Sequence, residues 1–299
     1  MSQKIKTAII GIGQWGKNVA RELNAVSDLV AYASRKPSSK DACFAEHIPL
    51  ARRSTIKEIC VDSTLKAVAI VTPISTQAAI ARAMIEAGKH TFVEKPLGRS
   101  SAEAQELAEM ASMRNLILMT GYLFLYHPVY QEVKRRVEIA SVRSVTFEWR
   151  KYGSFTEPIE TNLLVHHLAL TLDLMGEPIE GAIRHGPGTE SVCDEIETRL
   201  IYRGVEAISL IDRRSRENAH TMRIDLGDGS SYLWDNNRLF RHKAETANPQ
   251  IVYEARETPL AVEIASFIDA AAGAQGPRPT AGDFGSRVLR LLEMLKDVK

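Results

Sequence analysis

The residues best equipped for chemistry stand in four short stretches. In "IIGIGQWG", Gly11, Gly13 and Gly16 keep the spacing G-x-G-x-x-G, with Gln14 and Trp15 between the last two. A strand-like run precedes them and a helical pattern follows. In that setting the first glycine permits a tight turn and the second lets the backbone approach a pyrophosphate. The third lets helix and strand pack closely. The helix N-terminus then presents unpaired N–H groups to an anion. The bland alternative is an ordinary glycine-rich turn.

The second stretch is "YASRKP", where the next strand-like run ends. A site for NAD usually carries an acid there, about 20 residues after the loop, accepting from the ribose hydroxyls. No Asp or Glu lies between Leu29 and Lys40. Ser34 stands in the acid's place and Arg35 follows. A hydroxyl and a guanidinium suit a 2′-phosphate, which predicts NADP over NAD. A solvated basic turn would read the same way.

The third stretch, "TFVEKPLG", begins as a buried strand and ends in Glu94, Lys95 and Pro96. The proline biases Lys95 to extended geometry. Ligands of parallel sheets lie beyond the carboxyl ends of the strands. An ammonium at that place can polarise a carbonyl and stabilise an alkoxide.

The fourth is "TNLLVHHLALTLDLMGEP", residues 161–178, read as one helix. At 100° per residue Asn162, His166, Ala169 and Asp173 share a narrow stripe. His167 falls on another face, so it is expected to pack or pair at a domain or subunit contact. His166 is the candidate to give or take a proton. Its alternative is a satisfied polar residue on a helix surface.

These residues need elements to hold them. Up to about residue 120, short apolar runs at 5–10, 29–33, 66–71, 90–93 and 116–120 alternate with helical patterns. One of those helices is expected near 40–47. Such alternation predicts a parallel sheet with helices on both faces. Beyond about residue 124 one helix is expected after Pro128. Alternation at Val145, Phe147 and Trp149 follows, then at 196–202 and 222–226, with a turn at Asp228-Gly229. That half reads as an α+β domain with an open, mostly antiparallel sheet. Two helices, about 260–272 and 281–298, end the chain. The division is therefore 1–122 for dinucleotide binding and 123–299 for substrate and oligomer contacts, with the last helix able to pack back on the first domain.

Bulk composition narrows the partners. Lys plus Arg is 38 and Asp plus Glu is 37, a net charge of +1. Dedicated nucleic-acid binding is not expected from that balance. No apolar stretch is long enough to span a membrane. Cys43, Cys60 and Cys193 are dispersed and read as reduced thiols of a cytoplasmic protein. No metal-ligand spacing stands out.

The G-x-G-x-x-G loop, "VTP" at 71–73, "EKPLG" at 94–98, "TGYLFLYHPVY" at 120–130 and the two C-terminal helices together resemble the glucose–fructose oxidoreductase/inositol dehydrogenase family (Gfo/Idh/MocA). The resemblance covers nearly the whole chain. It implies hydride transfer between NAD(P) and a sugar, sugar nucleotide or polyol, and dimers or tetramers formed through the open sheet. It places Gln14, Trp15, Thr72, Pro73, Glu94 and Lys95 at the cofactor, and makes Lys95 and His166 the catalytic pair. Tyr122, Tyr126 and Asn162 are then candidates to meet substrate with His166. The family pattern Asp-x-x-x-His-x-x-Asp reads here as Asn162, His166 and Ala169, so two carboxylates are missing. Two other functions stay open: reduction of an imine or conjugated carbonyl, and NADP binding by a regulator without catalysis.

Overall fold

A computed structural model of the chain describes residues 4–35, 44, 48, 50–152, 157–186, 188–189, 192–243 and 248–297. The chain forms two compact units. One comprises Met1–Leu123 with Leu260–Leu289, the other Phe124–Pro259 with Arg290–Lys299.

The first unit is built on a parallel sheet. Its strands are β1 (Lys6–Ile10), β2 (Asp28–Ala33), β3 (Arg52–Arg53), β4 (Ala67–Ile70), β5 (His90–Glu94) and β6 (Leu118–Gly121), in spatial order β3-β2-β1-β4-β5-β6. Four strands read as near-continuous apolar runs because both sheet faces are covered; β4 is buried at every position. Helices α1 (Gly16–Val26), α2 (Ile56–Val61), α3 (Ile74–Glu86) and α4 (Ser101–Met113) form the crossovers. Two begin with side-chain caps. Thr55 and Glu58 make a reciprocal capping box at α2, and Ser100 accepts from the Glu103 N–H at α4. The helix expected near 40–47 lies outside the described residues except for Phe44, whose ring meets Tyr32 at 4.8 Å.

Beyond the second unit the chain returns to this sheet. Helix α7 (Pro259–Ala271) places Phe267 against Phe92, ring centroids 5.8 Å apart. The helix expected from 281 starts three residues later, as α8 (Phe284–Asp297). The residues before it pair as backbone instead: Thr120 N–H donates to Thr280 O at 3.1 Å and Gly282 N–H to Leu118 O at 3.0 Å. Edge β6 has spare donors and acceptors, and this segment satisfies them. The unit containing β5 thus takes in residues that a single cut at 122 assigns elsewhere.

The second unit carries an eight-stranded sheet: β7 (Val142–Arg150), β8 (Glu180–His185), β11 (Glu195–Tyr202), β12 (Val205–Asp212), β13 (Ala219–Leu226), β14 (Ser231–Asp235), β15 (Arg238–His242) and β16 (Gln250–Glu254). Their order is β16-β15-β14-β13-β7-β12-β11-β8. Every pairing is antiparallel except β7 with β12. A short hairpin, β9 (Gly188–Thr189) and β10 (Val192–Cys193), stands apart. Helix α5 (Pro128–Arg136) follows the proline that starts it, and α6 (Val165–Met175) supplies the buried helix. The expected continuous helix over 161–178 is not what forms. A π-type turn, Glu160–Leu164, leads into α6. Its wider step removes Asn162 from the ideal 100° stripe. Among the described residues no helix is long and apolar enough to cross a membrane.

Candidate active site

The glycine loop has the geometry its spacing predicts. Gly11 sits at φ +97°, and a Cβ there would lie 2.3 Å from the Val71 carbonyl oxygen. Only glycine fits both demands. A Cβ on Gly16 would come within 2.1 Å of Gly11 O, so the start of α1 lies directly on the loop. A Cβ on Gly13 would meet nothing within 4 Å among the described residues. The last glycine thus serves packing, and Gly13 keeps a backbone edge uncovered.

That edge faces a cavity of about 790 Å³. Gly11, Gly13, Ser34, Arg35, Arg53, Thr72 and Pro73 are among its walls. The described lining contains two arginines and no carboxylate. A glycine turn that a Cβ would fill, an uncovered Gly13 and a cationic far wall fit a dinucleotide with an anionic end. Gly11, Gly13, Thr72 and Pro73 would hold it at one side, and Ser34 and Arg35 at the other.

At the end of β5, Glu94 is buried and Lys95 half-buried. The Glu94 carboxylate accepts from Trp15 Nε1–H at 2.6 Å and from the Lys95 backbone N–H at 3.2 Å. Burial raises its pKa, opposed by the Trp15 hydrogen bond and the Lys95 charge. Trp15 therefore joins the glycine loop to the residue beside Lys95. The Lys95–Pro96 peptide is cis. Tyr122 is 1 % exposed, with its ring edge-on to Phe284 at 5.9 Å. A second carboxyl, Glu263 on α7, is fully buried, and neither of its oxygens has a hydrogen-bond partner among the described residues. Burial first, and the Glu94 charge second, push its pKa well above the usual carboxyl value.

In the second unit, His166 lies on the buried α6 at 5 % exposure. Its ring meets Phe124 at 5.1 Å and Trp149 at 5.7 Å. His220, on β13, closes the group, 4.4 Å from Phe124 and 4.3 Å from Trp149. His167 is not at a domain or subunit contact as expected: it is fully buried within its own unit, stacked on Phe147 at 4.9 Å, because its face of α6 packs on the sheet. Tyr126 is buried, and His127 caps α5 through Nδ1, which accepts the Val129 N–H at 3.1 Å. Asp173 is engaged by Tyr130 Oη–H at 2.7 Å and Lys134 Nζ at 2.8 Å. Asn162 is half-buried in the π-type turn.

Sequence reading missed Arg53, Trp149, His220 and Glu263 as site neighbours. Two of them left a signal: Trp149 ends the two-residue alternation of Val145 and Phe147, and His220 extends that of Met222 and Ile224. Arg53 lies on a two-residue strand, too short for any periodicity.

Comparison with known proteins agrees with this geometry. The family described as "Oxidoreductase family, NAD-binding Rossmann fold" matches residues 5–122. The UDP-N-acetylglucosamine 3-dehydrogenase of Acidithiobacillus ferrooxidans is 31% identical over 302 residues, spanning 95% of this chain and 94% of that protein. A solved structure of that dehydrogenase matches with a TM-score of 0.89 at 28% identity, over 99% of this chain and 97% of the other. The scyllo-inositol 2-dehydrogenase (NAD(+)) of Bacillus subtilis is 27% identical over 154 residues, 48% of this chain and 42% of that protein. The similarity thus runs through the dinucleotide unit and on through the second sheet, and the chain is an NAD(P)-dependent oxidoreductase of the Gfo/Idh/MocA family.

Proposed function

We propose that the protein prefers NADP and interconverts a secondary alcohol and a ketone on the sugar ring of a nucleotide sugar. The observation that carries the substrate class is similarity over 95% of the chain to a dehydrogenase named for UDP-N-acetylglucosamine. The inositol dehydrogenase matches over 48% only. The cofactor preference is supported by Ser34 and Arg35 on a cavity wall whose described residues include no carboxylate.

The nicotinamide, when bound, supplies or takes the hydride. In this reading Lys95, as an ammonium, donates to the reacting oxygen and stabilises its negative charge. His166 gives or takes the hydroxyl proton. Asn162 cannot titrate, so it orients substrate by hydrogen bonding. The buried faces of Phe124 and Trp149 hold the His166 ring in one orientation, which suits a group that must meet a proton in one direction. The open face of the second sheet bears Ile201, Ile208 and Leu210 among charged neighbours. Two copies pair through it, which sedimentation would show as a dimer or tetramer.

The deciding experiment is the absorbance of NADPH during turnover, with UDP-N-acetylglucosamine, other nucleotide sugars, free sugars and inositols as substrates. Turnover confined to nucleotide sugars is the expected result. Turnover of inositols alone, or of free sugars alone, would overturn the substrate class.

A further inference from the structure

We infer that Arg53 is a second determinant of cofactor choice, forming with Arg35 and Ser34 a two-guanidinium cradle for the 2′-phosphate of NADP. The inference rests on the NADP reading above and adds a residue from a different strand to it.

Strand β3 consists of Arg52 and Arg53 alone. It joins the sheet edge in parallel register, Ala31 opposite Arg52 and Tyr32 opposite Arg53. The Ser54 N–H donates to Tyr32 O at 2.8 Å and fixes where β3 ends. Successive side chains of a strand point to opposite faces, and these two arginines part accordingly. Arg52 reaches Asp62 on the outer surface, 3.2 Å away. Arg53 turns to the end of β2: its Nη2 donates to Ser34 O at 3.3 Å and its Nε to Ser34 Oγ at 3.4 Å. Ser34, Arg35 and Arg53 all line the cavity, whereas Arg52 and Asp62 do not.

The chemistry follows from that placement. A guanidinium carries five N–H donors in one rigid plane. Contacts to two atoms of Ser34 set the plane of Arg53 before a ligand arrives, so little ordering is left to be done on binding. Arg53 stands on a strand and Arg35 on the turn after β2, and groups on strands are held more closely than groups on loops. A ribose hydroxyl would meet cations with no carboxylate among the described wall residues to accept its proton. A dianionic phosphate would instead meet charge-assisted donors.

The test is calorimetric titration of the unliganded protein, with no turnover involved. NADPH, NADH, adenosine 2′,5′-bisphosphate and 5′-AMP would be compared for the wild type, Arg53→Gln, Arg53→Lys and Arg52→Gln. For the wild type, at least about tenfold tighter binding of each 2′-phosphorylated probe than its counterpart is expected. Arg53→Gln should weaken NADPH and adenosine 2′,5′-bisphosphate by about tenfold or more, with NADH and 5′-AMP within about threefold. Arg53→Lys should recover part of the loss, and Arg52→Gln should leave the ratios unchanged. A wild-type preference that survives in Arg53→Gln would overturn the role of Arg53 and leave the NADP reading standing. Equal weakening of all four probes would also overturn it, because Arg53 would then only shape the turn. Equal affinity of the wild type for NADPH and NADH would overturn the NADP reading itself. Melting midpoints check that each variant is folded.

Discussion

The indole of Trp15, at the start of α1, donates its N–H to Glu94 at the end of β5 across 2.6 Å. The two residues are far apart in sequence, yet this bond ties the phosphate-binding loop to the residue that precedes Lys95. Glu94 is buried, so loss of the donor leaves a carboxylate short of a partner in a poorly solvated place. Trp15→Phe keeps most of the ring and removes only the N–H. It is expected to lower turnover by about tenfold, with a smaller change in NADPH affinity. Steady-state kinetics beside fluorescence titration would show the split. Unchanged turnover would mean that Glu94 positions nothing.

Gly11 and Gly13 are expected to fail differently. Gly11→Ala forces a side chain onto φ +97° and into Val71 O. The strain alone is about 1–3 kcal/mol, and the clash adds to it, so the melting midpoint should fall by several degrees. Gly13→Ala meets nothing within 4 Å. Its stability should match the wild type while NADPH binding weakens by about tenfold or more. Thermal melts with and without NADPH separate the two cases.

Lys95→Ala should lower turnover by about a hundredfold or more, since it removes a donor aimed at developing charge. NADPH binding should persist. His166→Gln keeps hydrogen bonding and removes the ring that gives or takes the proton, so turnover should fall. Near-normal rates in either variant would remove that residue from the chemistry.

Glu263 gives stability a pH dependence of known sign. Its carboxyl pKa is well above 4.5 in the folded protein, through burial and then the Glu94 charge. The folded state therefore holds a proton that the unfolded state has released. Stability falls as pH rises from about the unfolded value toward the folded one, by up to about 1.4 kcal/mol per pH unit. Glu263→Gln keeps the shape without the titration. It should melt higher than the wild type at pH 8 and show a flatter profile above pH 5. Parallel profiles would refute the assignment.

The buried imidazoles act at the other end of the scale. Burial lowers His127 and His220 to about 4, and His167 well below its ordinary 6.5. Here the unfolded chain binds more protons between pH 6.5 and about 4. The stability these groups contribute is complete above 6.5 and is lost as pH falls through that window. His167→Phe preserves the stack on Phe147 and should reduce the acid-side slope. Chemical denaturation at pH 7, 6, 5 and 4 would measure it.

The sequence by itself determined whatever depends on local periodicity or on a residue's own stereochemistry. Gly11 can be read because only glycine tolerates its backbone, and Lys95 because a strand ending against a proline is a local pattern. Strands β1, β2, β4 and β5 were legible since burial on both faces makes them apolar runs. The tertiary structure decided what depends on pairing between distant segments. Arg53 and Ser34 meet because a two-residue strand adds to an edge, an event with no periodic trace. Trp15 reaches Glu94 because β1 and β5 flank β4 in one sheet. Glu263 looks like an ordinary helical acid until the chain's return buries it, and β7 pairs with β12 in parallel because the sheet's strand order is set by long-range contacts. Local sequence carries a residue's conformation, but the company it keeps is set by the whole chain folding on itself.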